Sequence, residues 1–287
     1  MWSPKQLREE LRFAAEFNVL LDVMQQVSVA QLRRLEEHGR GGIRLPELLS
    51  REVLPYLPAA AIRHPLLTGG DRGRLLIVMT SDQGFVGPLH ANVMRRAATL
   101  AAGATQWLLI GQRGTRWTGA SGAGRLVLPM PAEEHLAFEM GRVAQSALAR
   151  FSRDRLRDVW LIAPRFLTAS HQDVLVQQLL PLPVPQRLLE PSPLLEPSLH
   201  GALEALAGAW VESWCIDAAR SARQAVCAAR ALHVEASRQQ LAKQTRLLRY
   251  ALFKAQHERV DIAVRETYVV QRHLTRRRSA RPAGASA

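Results

Sequence analysis

Between Pro197 and Pro282 the chain has no proline, and between Gly208 and Gly284 it has no glycine. Ala, Arg, Leu, Gln and Val fill the interval, and most of these are good helix formers. The run from Ser198 to about Arg278 therefore predicts one helix, a rod of ~120 Å at ~1.5 Å per residue. An ordinary globular helix has only ~11–12 residues, so little else can share the architecture on equal terms. Leu241, Leu248, Ala255, Ile262 and Val269 recur at sevens and draw one apolar line along the rod. The companion line four residues on is Thr245, Leu252, Arg259, Glu266 and His273, and it turns polar. A symmetric two-stranded coil keeps both lines apolar over several heptads. The expectation is packing on one partner along a narrow seam, with the other sides open to water or to other proteins.

The partner is legible at the opposite end of the chain. Ser3 and Pro4 read as an N-cap and an N1 proline. The helix they open runs to about His38, where Gly39, Gly41 and Gly42 end it. Leu7, Ala14, Leu21, Ser28 and Leu35 fall at sevens, and Phe13, Phe17, Leu20, Met24 and Val27 widen the stripe. An antiparallel pairing of the first and last helices keeps both roots beside whatever lies between them.

The middle reads as a compact domain. A shorter helix is expected over Leu45–Leu57, with a proline-punctuated exit at Pro55, Pro58 and Pro65. Thr68 to Gly73 has the composition of a linker. Arg74–Thr80, Gln106–Gly111 and Val159–Pro164 are short apolar runs of the kind that form buried parallel strands. Helices are expected over Pro88–Ala102 and Pro131–Arg150, a flexible loop over Gly119–Gly124, and a wholly or partly helical stretch over His171–Leu180. Six prolines from Pro181 to Pro197 then make an extended return. The predicted fold class is α/β: a small Rossmann-like, doubly wound domain inserted between long N- and C-terminal helices that form an antiparallel coiled coil. The expected domains are 1–67 (first helix and the short helix after it), 68–197 (the α/β domain), 198–278 (the long helix) and 279–287 (a disordered tail).

Charge and chemistry narrow the function. Of a net charge of +13, the segment Arg220–Arg281 carries thirteen Arg and two Lys against four acidic residues, a net +11. Such an excess points to an acidic partner, nucleic acid or an acidic protein surface. The aromatic platforms and base-reading motifs of nucleic-acid binders are missing. Cys215 and Cys227 lie twelve residues apart on the same predicted helix, ~18 Å along its axis. A disulfide needs Cα atoms within ~7 Å, so they are expected to stay reduced. No apolar run approaches the ~20 residues of a bilayer span, and Met1–Glu10 lacks the core of a secretory signal. The loop Thr80–Gly87 follows a strand and precedes a helix, where Rossmann-type folds hold phosphates. Its spacing is Gly84-x-x-Gly87 rather than GxGxxG, and no Walker A lysine occurs, so it reads as a tight turn. Scattered histidines and the lack of a CxxC, HExxH or GxSxG motif leave no expected metal site, cofactor or catalytic residue.

Four stretches carry a family resemblance. Leu7–Glu37 contains Met24, Val27, Ser28, Ala30, Leu32, Arg33 and Arg34 in the pattern AMxMVSAAKLRR. Thr80–Val93 (TSDQGFVGPLHANV) is similar to TSDRGLCGGLNSNV. Phe166–Leu180 followed by Glu190-Pro-Ser-Pro193 resembles a return segment, and Val211-Glu-Ser213 with Ala228-Ala-Arg230 resembles the start of a terminal helix. These are features of the gamma subunit of F-type ATP synthases. Pro88 stands where that family usually has a second glycine, and Cys227 where it often has His or Gln. The resemblance implies a central rotor shaft without catalytic residues, cofactor or metal of its own. It also implies the ATP synthase alpha and beta subunits, the epsilon subunit and the membrane c-ring as partners, and a peripheral place on the cytoplasmic face of a bacterial inner membrane. Partner contacts fall by resemblance on Met24, Arg33, Arg34, Gly84, Gly87, Glu212, Arg230 and Arg259. Arg230 and Arg259 are expected against acidic loops of the catalytic subunits. The other reading of the composition is a basic coiled-coil adaptor or nucleic-acid-binding protein with an α/β head.

Overall fold

Helix boundaries follow local chemistry. In the computed structural model, which describes residues 3–39, 45–57, 63–101, 103–116, 124–183 and 198–279, α1 spans Pro4–Gly39. Ser3 and Gln6 form a reciprocal capping box. Ser3 Oγ accepts from Gln6 N at 3.3 Å, and Gln6 Oε1 accepts from Ser3 N at 2.9 Å. The last helix, α6, spans Leu199–Ser279, and Ser198 Oγ caps it by accepting from Gly201 N at 3.1 Å. The stretch Leu45–Leu57 is not one helix. It divides into α2 (Leu45–Leu48), a π-helical turn (Leu49–Val53) and a 3-10 turn (Leu54–Tyr56). Pro55 has no N–H to continue an α-helical ladder, and its ring crowds the carbonyl four residues back. A short α3 follows at Pro65–Thr68.

The remaining elements are β1 (Arg72–Met79), α4 (Leu89–Leu100), β2 (Thr105–Ile110), β3 (Arg125–Leu128), α5 (Leu136–Arg153), β4 (Leu156–Phe166) and β5 (Gln172–Leu180). They build one sheet in the order β3-β2-β1-β4-β5, parallel except for β5, which runs antiparallel to β4. Thus His171–Leu180, expected as helix, is an edge strand. A five-residue turn returns the chain directly, with Thr168 N donating to His171 O and His171 N to Thr168 O. Phe166 then pairs with Gln172 and the ladder closes before a helix can nucleate. The glycine-containing stretch after Thr68 is pinned rather than loose, since Gly70 N donates to Leu156 O and Arg72 N to Arg155 O. The Glu190–Pro193 match and the 279–287 tail lie outside the described residues, apart from Ser279 at the end of α6.

The chain divides into two compact units, Gln25–His233 and Met1–Met24 with Val234–Ala287. In the first, the central strands are apolar on both faces, as a doubly covered parallel sheet requires. Leu75, Ile77, Met79, Leu108 and Ile110 meet Met140, Val143, Ala144 and Phe151 of α5 and Leu203, Ala207, Trp210, Val211 and Cys215 of α6. Leu76, Val78, Trp107, Leu109 and Ile162 meet Val93, Met94 and Ala97 of α4 on the other face. Arg74 ties three elements together: it donates to Leu100 O at the end of α4 and pairs with Asp158 of β4 at 3.1 Å. Here α1 and α6 run antiparallel, because Gln224 Nε2 donates to Leu35 O and Cys227 Sγ to Gln31 Oε1.

In the second unit Leu7, Ala14 and Leu21 are buried, as is Val234. Leu241, Thr245, Leu248, Leu252 and Ala255 are half-buried at alternating spacings of four and three, a coiled-coil seam. Asp22 pairs with Arg238 at 3.1 Å. An antiparallel pairing from that point puts Pro4 opposite Gln256, and cover on α6 indeed stops there: Gln256 to Arg272 are all exposed. The apolar line drawn by the sequence continues past its partner, with Ile262 and Val269 at 54% and 52% exposure.

Leu21→Ala should therefore cost about 2–5 kcal/mol, the range for a fully buried leucine. Ile262→Ala, on the same kind of line, should change stability by no more than about 0.5 kcal/mol in the isolated chain. Urea unfolding midpoints of the two variants check both values, and equal midpoints would break the assigned register.

Candidate functional site

The loop between β1 and α4 sits at the carboxyl end of a central parallel strand, and buried hydrogen bonds hold both its flanks. Thr80 Oγ1 donates toward Ile110 O or Gly111 O, at 3.2 and 3.0 Å, and accepts from Gly114 N at 3.1 Å. Gly111 has φ of +95°, and a Cβ there would stand 2.7 Å from the Thr80 carbonyl carbon, so only glycine allows this crossing. Asp82 fastens the loop outward, its two carboxylate oxygens accepting from Gln112 N at 2.7 Å and Met130 N at 3.0 Å. Ser81 Oγ lies 2.8 Å from Gln83 O and 3.0 Å from His90 Nε2. Phe85 adopts φ of +60° and is exposed, and Gly87 adopts φ of +58°. Val86 and Leu89 anchor the turn against Ala225, Val226 and Ala229 of α6.

A cleft of about 440 Å³ opens beside the loop. Its walls include Ser81 and Asp82, Gln31 and Arg34 of α1, and Arg223 and Cys227 of α6. Arg223 closes one side by pairing with Glu133 Oε2 and donating to Pro131 O. Burial pushes the Cys227 thiol up from its ordinary value, partly offset by Arg230 and Arg223. Cys215 is fully buried and pushed up to about 12, mainly by burial and then by Glu212. Both cysteines are free, as their spacing requires.

Of the residues singled out in sequence, the structure brings three together. Arg230 is only 6% exposed, and its Nε donates to Gly84 O at 3.3 Å. Gly87 lies close to His233, with 3.6 Å between a virtual Cβ and Nδ1. Arg33 and Arg34 are exposed on α1, and Arg34 reaches the cleft. Glu212 is exposed on α6 and lies over Gly141 of α5. Met24, half-buried, and Arg259, exposed, belong to the coiled-coil unit. Sequence reading passed over Arg113 and His90. Arg113 Nη2 lies so near Gly84 that a Cβ there would stand 2.9 Å away. His90 is held below its ordinary 6.5, first by burial and then by the charges of Arg113 and Arg230, against a hydrogen bond to Gln83. Neither has a sequence signature, because each matters only through its distance from a loop elsewhere in the chain.

Among the described residues no helix is long and apolar enough to cross a membrane, and no three potential ligands converge as a metal site.

Residues 3–255 match the family model described as ATP synthase. An ATP synthase gamma chain of Ralstonia nicotianae is 27% identical over 193 residues, spanning 63% of this chain and 66% of that one. An ATP synthase gamma chain of Verminephrobacter eiseniae is 26% identical, spanning 74% of this chain and 78% of its own length. In fold, the chain is similar to one in the Euglena gracilis mitochondrial ATP synthase structure of OSCP, F1 and c-ring, with a TM-score of 0.75 at 14% identity. That match covers 99% of this chain and 98% of the other. A chain of the Euglena gracilis rotor gives 0.67 at 16% identity, covering 90% and 98%.

Since the fold favours neutral His90, its contribution to stability is complete above about pH 6.5 and is lost as pH falls below that value. An NMR titration of the imidazole should give a midpoint under 6.5, and a midpoint above 6.5 would mean that a carboxylate faces the ring.

Proposed function

Because the chain belongs to the ATP synthase gamma-chain family, whose members are non-catalytic central-stalk subunits, we propose that it is the shaft that couples ion flow through a membrane ring to ATP synthesis or hydrolysis in a catalytic hexamer. The observation that carries this reading is the bare end of α6. Val260, Ile262, Val264, Tyr268, Val269 and Val270 are more than half exposed on a stretch of helix that nothing else among the described residues covers. A cluster of large apolar side chains on one exposed helix marks an interaction surface. Arg246, Arg249, Arg259, Arg265 and Arg272 are interspersed with it, so the surface suits a collar with both apolar and acidic faces.

In this reading the alpha and beta subunits surround the terminal helix, and the α/β domain, residues 68–197, is the foot toward the epsilon subunit and the c-ring. The long helices of 1–67 and 198–278 form the shaft. The protein works peripherally, at the cytoplasmic face of a bacterial inner membrane. Met24, Arg33, Arg34, Gly84, Gly87, Glu212 and Arg259 meet partners, and Arg230 acts through the Gly84 loop that it holds. An asymmetric shaft drives catalysis only through different contact energies at successive sites, which is differential binding to alternative states.

Reconstitution with alpha and beta subunits tests this. The wild-type chain should co-assemble and support ATP hydrolysis. Ile262→Asp combined with Val269→Asp should lower coupled turnover at least about tenfold, since charges would enter an apolar contact. The melting temperature of the free variant should stay unchanged, because both residues are exposed there. A wild-type chain that fails to join the hexamer, or a double variant with full turnover, would refute the reading.

A further inference from the structure

A backbone N–H can only donate, so it fixes the tautomer of a neutral histidine that accepts from it. His64 is such a case. Its Nδ1 accepts from Leu66 N at 3.2 Å and caps α3. The proton of the neutral ring therefore sits on Nε2. That atom stands 2.7 Å from Nδ1 of His200, in the first turn of α6, and donates to it. His200 in turn carries its proton on Nε2, which faces Glu204 Oε1 at 3.3 Å. A directed relay thus runs from the Leu66 amide through two neutral rings to a carboxylate one turn along α6.

The relay has no place for one more proton. On His64 it would sit on Nδ1, against the Leu66 N–H. On His200 it would also sit on Nδ1, against the Nε2–H of His64. Either arrangement sets two donors face to face and breaks a hydrogen bond. A charged His200 keeps Glu204 and expels His64, whereas a charged His64 gives up the cap of α3. The same tautomers leave no lone pair for a metal between the rings, because Nε2 of His64 could ligate only with Nδ1 protonated. Water reaches both rings, which line a cleft of about 940 Å³. Of the other charged groups there, Glu204 faces His200, and Arg155 pairs with Asp71 at 3.5 Å. The α5 residues on that cleft, Gln145, Leu148, Ala149, Phe151 and Ser152, carry no charge.

The geometry points to a proton-operated latch: neutral His64 and His200 tie α3 to the first turn of α6, and one proton taken up by either ring unties it. The release is local. Leu66 and Leu67 of α3 stay packed in the core, and Leu182 N donates to Leu66 O at 2.8 Å whatever the charge on the rings. Burial holds His64 below its ordinary 6.5, as does the charge of His200, while Glu204 pulls the other way. The fold therefore favours neutral His64. Its contribution is complete above about pH 6.5 and is lost as pH falls below that value through the His64 midpoint. The latch lies within the chain and does not depend on the shaft reading.

The test is NMR on the full chain, reading the His64 midpoint and amide hydrogen exchange. His200→Phe, which keeps a ring and removes its charge, should raise the His64 midpoint, and Glu204→Gln should lower it. From about pH 7.5 to about pH 5.5 the protection of the Leu66 amide, corrected for intrinsic exchange, should fall about fivefold, the factor for a typical N-cap. Gly70 N, bonded to Leu156 O, should keep its protection over the same range. His64→Asn caps a helix without titrating here, so Leu66 should then be equally protected at both pH values. Wild-type Leu66 protection that ignores pH would overturn the latch, as would a His64 midpoint that neither variant moves. Loss of protection at Gly70 together with Leu66 would also overturn it, since acid would then be opening the whole unit.

Discussion

Everything in the α/β unit depends on how closely α6 approaches the sheet and the loop above it. Along the stretch that does so, many of the buried positions are small, among them Ala207, Cys215, Ala218, Ala219, Ala222, Ala225, Ala228 and Ala229. Small side chains let a helix backbone come near its neighbours and give up almost no rotamer entropy on burial. The larger residues act as fixed pegs. Trp210 reaches across to donate its indole N–H to Leu179 O at 3.0 Å, and Ser221 Oγ accepts from Phe166 N at 3.0 Å. The β4–β5 hairpin is thereby held at both ends against one helix.

That close approach has an electrostatic consequence. A helix face tiled with alanine leaves little volume for a long polar side chain, yet Arg230 lies on it and is buried. Among the described residues its guanidinium has one bond, to a loop carbonyl. The loop conformation and the helix position therefore reinforce each other: Gly84 without Arg230 would lose a donor, and Arg230 without Gly84 would lose its acceptor. Asp82 pins the same loop to the strand ends on its other side. A segment that carries the family resemblance is thus also a loop held from two sides.

Elements whose own residues carried the signal were legible from sequence. The N-cap Ser3, the proline-free final run, and the apolar strands β1, β2 and β4 all came from local chemistry. β3 has only four residues and no alternation to mark it, and β5 has glutamines at positions that its neighbours cover. Both are strands because of what lies beside them in the sheet. The helix expected over Leu45–Leu57 failed at Pro55 for a reason the sequence contained, the missing N–H of proline within a helical period.

By itself, then, the sequence determined the two long helices, their seams, the alternation of β1, α4, β2, α5 and β4, and the excess of positive charge on the final helix. These depend on backbone propensity and on periodicity within one segment, which a linear reading can detect. Tertiary structure alone decided where the seam ends, that Arg230 is buried while Arg259 is exposed, and that Arg113 and His90 meet the loop of Gly84. Those are distances between segments far apart in the chain. No residue type or spacing encodes them until the sheet has set its strand order and α6 has packed against it.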